Sequence, residues 1–385
     1  MAHEHDRPYR SVAFLRGRAR AARVRARGRG RRPESSGHRI VDVEQEFVVL
    51  DDNPRIDGGW LEPLAEDGTA QREDRMRTAP AGSPDYPPTY RPAAAATGSG
   101  EVPPAQRAAF DPALKQYPNA YRAGEPRFSA PQVGARWKGD RRGALHDVLN
   151  VIAGTAWAQH LVLRGSLTMP AWVGDAAREP GDLDFVVTPA TVTSTSATAR
   201  TLMADLKTAL RSAPPAGLRP DDLTETAIWT YERADGLRLA LPFDTPDLTG
   251  GHVQIDVVFG EHLPLPPRPL TLPGVAVPVL AAPAPLALAW KLMWLATDAY
   301  PQGKDLYDAA LLAEHTHVDQ ALVQDLLRPE LGTEADTFTA ATVLDWDVDW
   351  ANFLDEDPAV TGTSDHWLGR LAIALEQAWA GSAHP

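Results

Sequence analysis

The chain contains no cysteine among its 385 residues. This absence excludes disulfide bridges, thiolate zinc sites and cysteine nucleophiles, and it favours a reducing, cytoplasmic location. The sequence also lacks a run of about eighteen apolar residues, so no segment is predicted to span a membrane. The arginine-rich beginning of the chain has no apolar stretch of the kind found in secretion signals. We therefore expect a cytoplasmic protein without a membrane partner.

Charge is distributed unevenly along the chain. The formal net charge is −13, but residues 1–40 contain twelve arginines against three acidic residues, which leaves −22 on the remainder. The repeated Arg-Ala and Arg-Gly pairs have too few apolar neighbours to form a core, and residues 51–104 are rich in proline, glycine and aspartate. We predict that residues 1–104 form a disordered tail and a linker. The basic stretch has two open interpretations, an RNA-binding arm and a solvated tail.

The rest of the chain is long enough for two domains. Residues 105–282 alternate between helical and extended patterns, and residues 143–159 have the apolar spacing of a helix that leads directly into a strand. Residues 283–298 form a long apolar helical segment that begins with proline, and at least three more helices are predicted after it. We therefore predict one domain over residues 105–282 and a helical domain over residues 283–385.

Two apolar runs carry the residues with the clearest chemical meaning. Residues 160–163 predict a buried strand that ends at Gly165-Ser166, where a backbone without a Cβ can approach a phosphate. The second run carries Asp182 and Asp184, which strand alternation places on the same face. Two carboxylates so close together cost free energy unless a cation lies between them. The spacing therefore indicates a Mg²⁺ site.

Three further residues complete the candidate set. Asp256 interrupts the apolar strand of residues 253–259, where a carboxylate is costly unless it is paired or bound to a metal, and we predict it as a third metal ligand. Lys291 is the cation of the apolar helix and belongs to the candidate set. The other interpretation is an ordinary lysine whose side chain extends to solvent. Asp305 lies at the beginning of the next helix and also belongs to the candidate set. The other interpretation of Asp305 is an acid that stabilises the first helical turn.

Together these residues suit the transfer of a nucleotide. Two acids would hold a metal ion that bridges the triphosphate, and the third would help to hold a second ion at the attacking hydroxyl. Main-chain N–H groups near Ser166 would bind the β- and γ-phosphates, with Lys291 as a point charge on the same oxygens.

The motifs resemble those of a known superfamily. Gly165-Ser166, Asp182-x-Asp184 and the later Asp256 are similar to the pattern of the polymerase-β superfamily of nucleotidyltransferases. Fifteen residues separate Ser166 from Asp182, more than the usual spacer, and we interpret residues 174–181 as an insertion at the mouth of the site.

A narrower resemblance rests on three other features. Arg178 lies four residues before Asp182, Lys291 lies on an apolar helix, and Gly303 to Leu312 form a characteristic run. These features are similar to those of the AbiEii/AbiGii nucleotidyltransferase toxins, the toxin halves of bacterial abortive-infection and toxin–antitoxin systems. The resemblance covers residues 143–312.

The resemblance implies an α+β fold, with a polymerase-β-like domain of a small mixed sheet flanked by helices, followed by a helical carboxyl-terminal part. It implies transfer of a nucleoside monophosphate from a nucleoside triphosphate to an acceptor, RNA or tRNA, with two Mg²⁺ ions, and a cognate antitoxin as partner. Asp305 would orient Lys291 or assist the acceptor. The implied nucleotide-binding residues are Gly165, Ser166, Arg178 and Lys291, and the implied metal ligands are Asp182, Asp184 and Asp256.

Two other functions remain open from the sequence. An acidic cleft suits a cationic acceptor, so the same fold could modify a small molecule of the aminoglycoside type. The third possibility is a degenerate transferase that binds a nucleotide or a partner protein without catalysis.

Overall fold

The computed structural model describes residues 105–108, 121–128, 130–228, 235–298 and 301–380. Residues 1–104, the predicted tail and linker, lie outside the described residues. Contacts divide the described chain into two compact units, with the division between Ala287 and Leu288. The predicted domain boundary between residues 282 and 283 stays a prediction.

A seven-stranded mixed sheet forms the centre of the first unit. Its strands, with a separate two-stranded ladder of β1 and β2, are β1 (Ala105–Ala108), β2 (Tyr121–Arg127), β3 (Leu161–Arg164), β4 (Leu183–Val187), β5 (Thr224–Ala227), β6 (Asp235–Phe243), β7 (Gly251–Phe259), β8 (Arg268–Leu270) and β9 (Val279–Ala281). The strand order in the sheet is β5-β6-β7-β4-β3-β9-β8. The pairs β4–β7 and β3–β9 are parallel, and the other pairs are antiparallel.

Helices of the first unit are α1 (Pro131–Ala153), α2 (Pro170–Val173) and α3 (Ala197–Ser212). Proline in the first turn suits the beginning of α1, because its missing N–H would have no helical partner there. The side chain of Ser196 caps α3 by accepting a hydrogen bond from the N–H of Ala199. Both helices turn an apolar stripe towards the sheet.

One face of the sheet provides the hydrophobic core. Alternate residues of the central strands, such as Leu163, Phe185 and Val257, are fully or almost fully buried in one cluster with residues of α1 and α3. Strand alternation directs the intervening residues to the opposite face. That opposite face carries Arg164 of β3, Asp184 of β4, Arg238 of β6 and Asp256 of β7.

The second unit is helical. Its helices are α4 (Ala284–Thr297), which crosses the division, α5 (Gly303–His315), α6 (Gln320–Leu331), α7 (Trp350–Glu356) and α8 (Ser364–Ala380). The ring of Tyr307 on α5 lies 5.4 Å from that of Phe353 on α7 and 4.7 Å from that of Trp367 on α8. A Cβ at Gly303 would overlap Phe353, so glycine permits the close approach of α5 to α7.

The predicted α+β fold, a small mixed sheet flanked by helices and followed by a helical part, is confirmed for the described residues. Among those residues, no helix is both long and apolar enough to cross a bilayer.

Leu163 tests the contribution of the core. Leu163→Ala removes a fully buried side chain from β3 and should lower the free energy of unfolding by about 2–5 kcal/mol. Val277→Ala, at a position that is 47% exposed in the same unit, should change it by less than about 0.5 kcal/mol. Urea unfolding followed by circular dichroism measures both. Equal losses in the two variants would contradict the assignment of the core.

Candidate active site

A tight turn joins β3 to the residues that follow it. Gly165 has φ +82°, and a Cβ at this position would lie well under 3.0 Å from a carboxylate oxygen of Asp184. The chain then forms a single 3₁₀ turn over Ser166–Thr168, in which the hydroxyl of Thr168 donates to the carbonyl oxygen of Gly165 at 2.7 Å. Glycine is therefore required at position 165 for two reasons. The backbone conformation favours glycine, and the carboxylate beside it leaves no space for a Cβ.

Four charged residues lie in one row across the sheet. Arg164 on β3 is the register partner of Asp184 on β4, Asp184 is the partner of Asp256 on β7, and Asp256 is the partner of Arg238 on β6. Register partners on neighbouring strands point to the same face. The row therefore reads arginine, aspartate, aspartate, arginine, with the two aspartates as register partners.

Arg238 and Asp256 form a buried bidentate ion pair. Nε of Arg238 donates to Oδ1 of Asp256 and Nη2 donates to Oδ2, both at 2.7 Å, and the amide of Gln254 donates to Oδ2 at 3.1 Å. Asp256 is 3% exposed. Burial raises the pKa of Asp256 and the charge of Asp182 raises it further, while Arg238 and Gln254 act in the opposite direction.

Arg164 is paired at the other end of the row. Its Nη1 donates to both carboxylate oxygens of Glu261, at 2.9 and 2.7 Å, and both side chains are largely buried. Glu261 follows β7 directly after Gly260, which has φ +71°. The turn at Gly260 thus contributes the partner of Arg164.

The structure brings the predicted pair Asp182 and Asp184 to the same end of β4 as the Gly165 turn. The strand begins at Leu183, so Asp182 lies immediately before the ladder that we predicted to include it. Both aspartates are partly exposed, and the carboxylate of Asp184 lies against Gly165. Hard carboxylate oxygens beside a glycine turn fit Mg²⁺, which typically binds one or two protein carboxylates and completes its shell with water and phosphate oxygens.

Asp256 does not fit a metal ligand in the same way. Both of its oxygens accept hydrogen bonds from Arg238 and the residue is buried, whereas Mg²⁺ usually retains several waters. Within the ranges that the structure describes, no cluster of three or more acidic, histidine or cysteine side chains is arranged to hold a metal ion. The metal role of Asp256 stays a prediction.

Arg178 lies on the segment between the short 3₁₀ turn at Gly174–Ala176 and β4. Its neighbour Glu179 accepts a hydrogen bond from Arg142 of α1 at 2.6 Å, which ties this segment to the helix. The predicted nucleotide-binding role of Arg178 stays a prediction.

A second group of charges lies within the helical unit. Nζ of Lys291 donates to Asp305 at 2.6 Å, lies 3.2 Å from a carboxylate oxygen of Asp308, and lies 5.3 Å from the ring centroid of Trp294. Lys291 is 6% exposed, so the alternative of a side chain extended to solvent is wrong. The carboxylate of Asp305 accepts from Lys291, and Asp305 is also the acidic residue in the first turn of α5.

Sequence reasoning missed Arg238, Asp308 and the Arg164–Glu261 pair. Asp308 had a usable signal, because it lies three residues after Asp305 and therefore on the same helix face. Arg238 had a weaker one, as a cation between the apolar residues Leu237 and Leu239 of a predicted strand. Nothing in the local sequence of Arg164 indicated Glu261.

A family comparison decides the identity. Residues 147–370, more than half of the chain, match the family model described as nucleotidyl transferase AbiEii toxin, Type IV TA (toxin–antitoxin) system. The chain belongs to the AbiEii family. This membership makes it a nucleotidyltransferase, as the motifs predicted, and confirms the resemblance on which that prediction depended.

Several solved chains match this AbiEii-family protein, and a mycobacterial toxin is one of them. MenT4, a nucleotidyltransferase toxin from Mycobacterium tuberculosis H37Rv, is 19% identical with a TM-score of 0.40, and the match covers 64% of this chain and 89% of that one. No curated protein matches.

A comparison of alanine variants at two glycines separates the effect of backbone strain from the effect of overlap with Asp184. Gly165 and Gly174 both have positive φ, but a Cβ at Gly174 would meet nothing within 4 Å. Each Gly→Ala variant should lose about 1–3 kcal/mol of unfolding free energy through backbone strain. Only Gly165→Ala should also abolish nucleotide transfer, because its Cβ displaces Asp184. Urea unfolding and label transfer from radiolabelled nucleoside triphosphates measure the two effects, and full activity in Gly165→Ala would refute the placement.

Removal of Arg238 should expose the cost of burying Asp256. Arg238→Met leaves a buried carboxylate without its counter-charge, so the free energy of unfolding should fall by about 3–5 kcal/mol. The apolar double variant Arg238→Met/Asp256→Leu should recover most of that loss, because it leaves no buried charge behind. Chemical unfolding at pH 7 measures both variants, and an unrecovered double variant would count against this account.

The loss of unfolding free energy in Arg238→Met should depend on pH. Loss of Arg238 removes the main influence that lowers the pKa of Asp256, so burial raises this pKa still further in the folded state. A raised carboxyl pKa destabilises the folded protein only above the ordinary aspartate value of 3.8, where the unfolded chain ionises and the folded chain does not. The deficit of Arg238→Met relative to the native protein should therefore grow from pH 4 to pH 7 in unfolding titrations, and a constant deficit would contradict it.

Proposed function

We propose that this AbiEii-family protein uses Mg²⁺ to transfer a nucleoside monophosphate from a nucleoside triphosphate to a hydroxyl of RNA. The proposal is carried by the partly exposed carboxylates of Asp182 and Asp184 beside the Gly165-Ser166 turn. A divalent cation held there would neutralise charge on the triphosphate.

The chemistry is an in-line displacement. The acceptor hydroxyl gives its proton to solvent water and its oxygen forms a bond to the α-phosphorus, while the bond from that phosphorus to the bridging oxygen breaks and pyrophosphate leaves. The turn after β3 would bind the phosphates through its main-chain N–H groups, and Asp182 and Asp184 would hold the ion. Arg178, on the segment that precedes Asp182, is proposed as a further phosphate contact.

Roles for the Lys291 group are proposals of the same kind. Lys291 would act as a point charge on the triphosphate, and Asp305 would orient it, which the hydrogen bond between them supports. Asp308 would contribute to the same orientation through its own contact with Lys291.

RNA as acceptor is supported by the toxin family and by the twelve arginines of residues 1–40, which give the chain a basic segment able to contact phosphates. A second acceptor is favoured by a separate observation. Outside that segment the chain carries a formal charge of −22, which suits a cationic small molecule such as an aminoglycoside. The family's placement in type IV systems supports a cognate antitoxin as partner.

Label transfer tests the proposal. Purified protein is incubated with Mg²⁺, each α-labelled nucleoside triphosphate in turn, and either total bacterial RNA or an aminoglycoside mixture. Label should appear on RNA and disappear with a chelator or with Asp184→Asn, whose carboxamide keeps the size of the carboxylate but not its charge. Label on the aminoglycosides alone would replace RNA with the second acceptor. Label that persists in Asp184→Asn would overturn the assigned metal site.

A further inference from the structure

The three predicted carboxylate ligands differ in their surroundings. Asp182 and Asp184 are partly exposed, whereas Asp256 is almost completely buried although it is the register partner of Asp184. A site that uses three carboxylates to hold two ions needs the third carboxylate open to an ion. The structure therefore poses the question of what Asp256 does.

Asp256 is closed to a metal by its hydrogen bonds. Two N–H groups of Arg238 and one of Gln254 cover its two oxygens, at 2.7, 2.7 and 3.1 Å. Fork-to-fork geometry between a guanidinium and a carboxylate is among the strongest charge-assisted pairings in proteins. A Mg²⁺ ion would have to displace these donors and bring its own waters into a buried position, which is costly.

The register between β6 and β7 determines the position of Arg238. β6 pairs with β7 along their whole length, and Arg238 falls opposite Asp256 in that ladder. Arg238 is itself only 6% exposed, so its guanidinium lies against the sheet and does not extend to solvent. A fixed positive charge thus lies next to the third carboxylate, on the same face as Asp184.

The balance of formal charges also disfavours a second divalent ion beside Asp256. Arg238 matches the charge of Asp256, and the other two predicted ligands together carry the charge that one divalent cation balances. With Arg238 present, a second divalent ion beside Asp256 would add positive charge within contact distance of a guanidinium, which is unfavourable at low dielectric.

We propose that the Arg238 guanidinium takes the place of a second divalent cation beside Asp256, so that this nucleotidyltransferase works with a single ion held by Asp182 and Asp184. The inference rests on the proposed metal pair of the preceding section. It makes Arg238 and Asp256 positioning residues that act on the charge of the site.

Metal stoichiometry tests the inference without an activity assay. Mn²⁺ is titrated into the full-length protein, and the free ion is counted by electron paramagnetic resonance. The native protein should bind one ion in the site, and Asp184→Asn should weaken binding by at least the roughly 10- to 100-fold typical of lost supporting residues. Two ions in the native protein, both lost in Asp184→Asn, would overturn the inference and leave the proposed metal pair intact. Unchanged binding in Asp184→Asn would overturn both.

A charge-neutral double variant is the matched control. Arg238→Gln/Asp256→Asn removes both charges together and keeps two amides that can bond to each other. It should still bind one Mn²⁺ ion, with a dissociation constant within about threefold of the native value, a difference of less than about 1 kcal/mol. Loss of the ion would identify Asp256 as a ligand and refute the inference.

Arg238→Ala provides the converse measurement. This variant removes both guanidinium hydrogen bonds from Asp256 and opens the space of the guanidinium, so it should bind a second Mn²⁺ ion. Two such ions about 3.5–4 Å apart would be spin-coupled and would change the resonance spectrum. Retained near-ultraviolet circular dichroism shows that the variant is folded, and a folded variant with one ion would refute the replacement. If the variant does not fold, the native protein and the double variant decide the question.

Discussion

The parallel pairing of β4 with β7 is the constraint on which the candidate active site depends, because it makes Asp184 and Asp256 register partners on one face of the sheet. A sheet cannot hold two adjacent carboxylates on a largely buried face without compensation. The compensation differs for the two residues. Asp256 is locked to a guanidinium, whereas Asp184 lies at the partly exposed end of its strand beside a glycine turn.

The same physical solution recurs in the helical unit. Lys291 lies on an apolar helix and is buried, which is tolerated because Asp305 and Asp308 both contact its ammonium group. Both units therefore bury a cation together with carboxylates and hold it by direct hydrogen bonds. Such pairs contribute more to the geometry of a site than to stability, since apolar residues of equal size could replace them without loss.

The parts of the structure that depend on local pattern could be predicted from the sequence. The strand that leads to Gly165, the strand that carries Asp184, the helix that carries Lys291 and the acids at positions 182, 184 and 256 all followed from apolar runs and their interruptions. The partner of Asp256 could not be predicted in this way. It is set by the register of β6 against β7, which depends on the geometry of the connection at residues 244–250 as well as on the alternation of apolar residues in both strands. Glu261 approaches Arg164 through the turn at Gly260, which is likewise a tertiary effect.

The Arg238–Asp256 pair also bears on how the sheet assembles. Side chains alternate between faces along a strand, so a slip of β6 by one residue would turn Arg238 into the apolar core and place a leucine beside Asp256. Such a misaligned sheet would contain two buried charges without partners, each at a cost of several kcal/mol. The Arg238–Asp256 pair therefore disfavours this wrong alignment of the strands, so two residues of the candidate site also help to specify the register of the sheet.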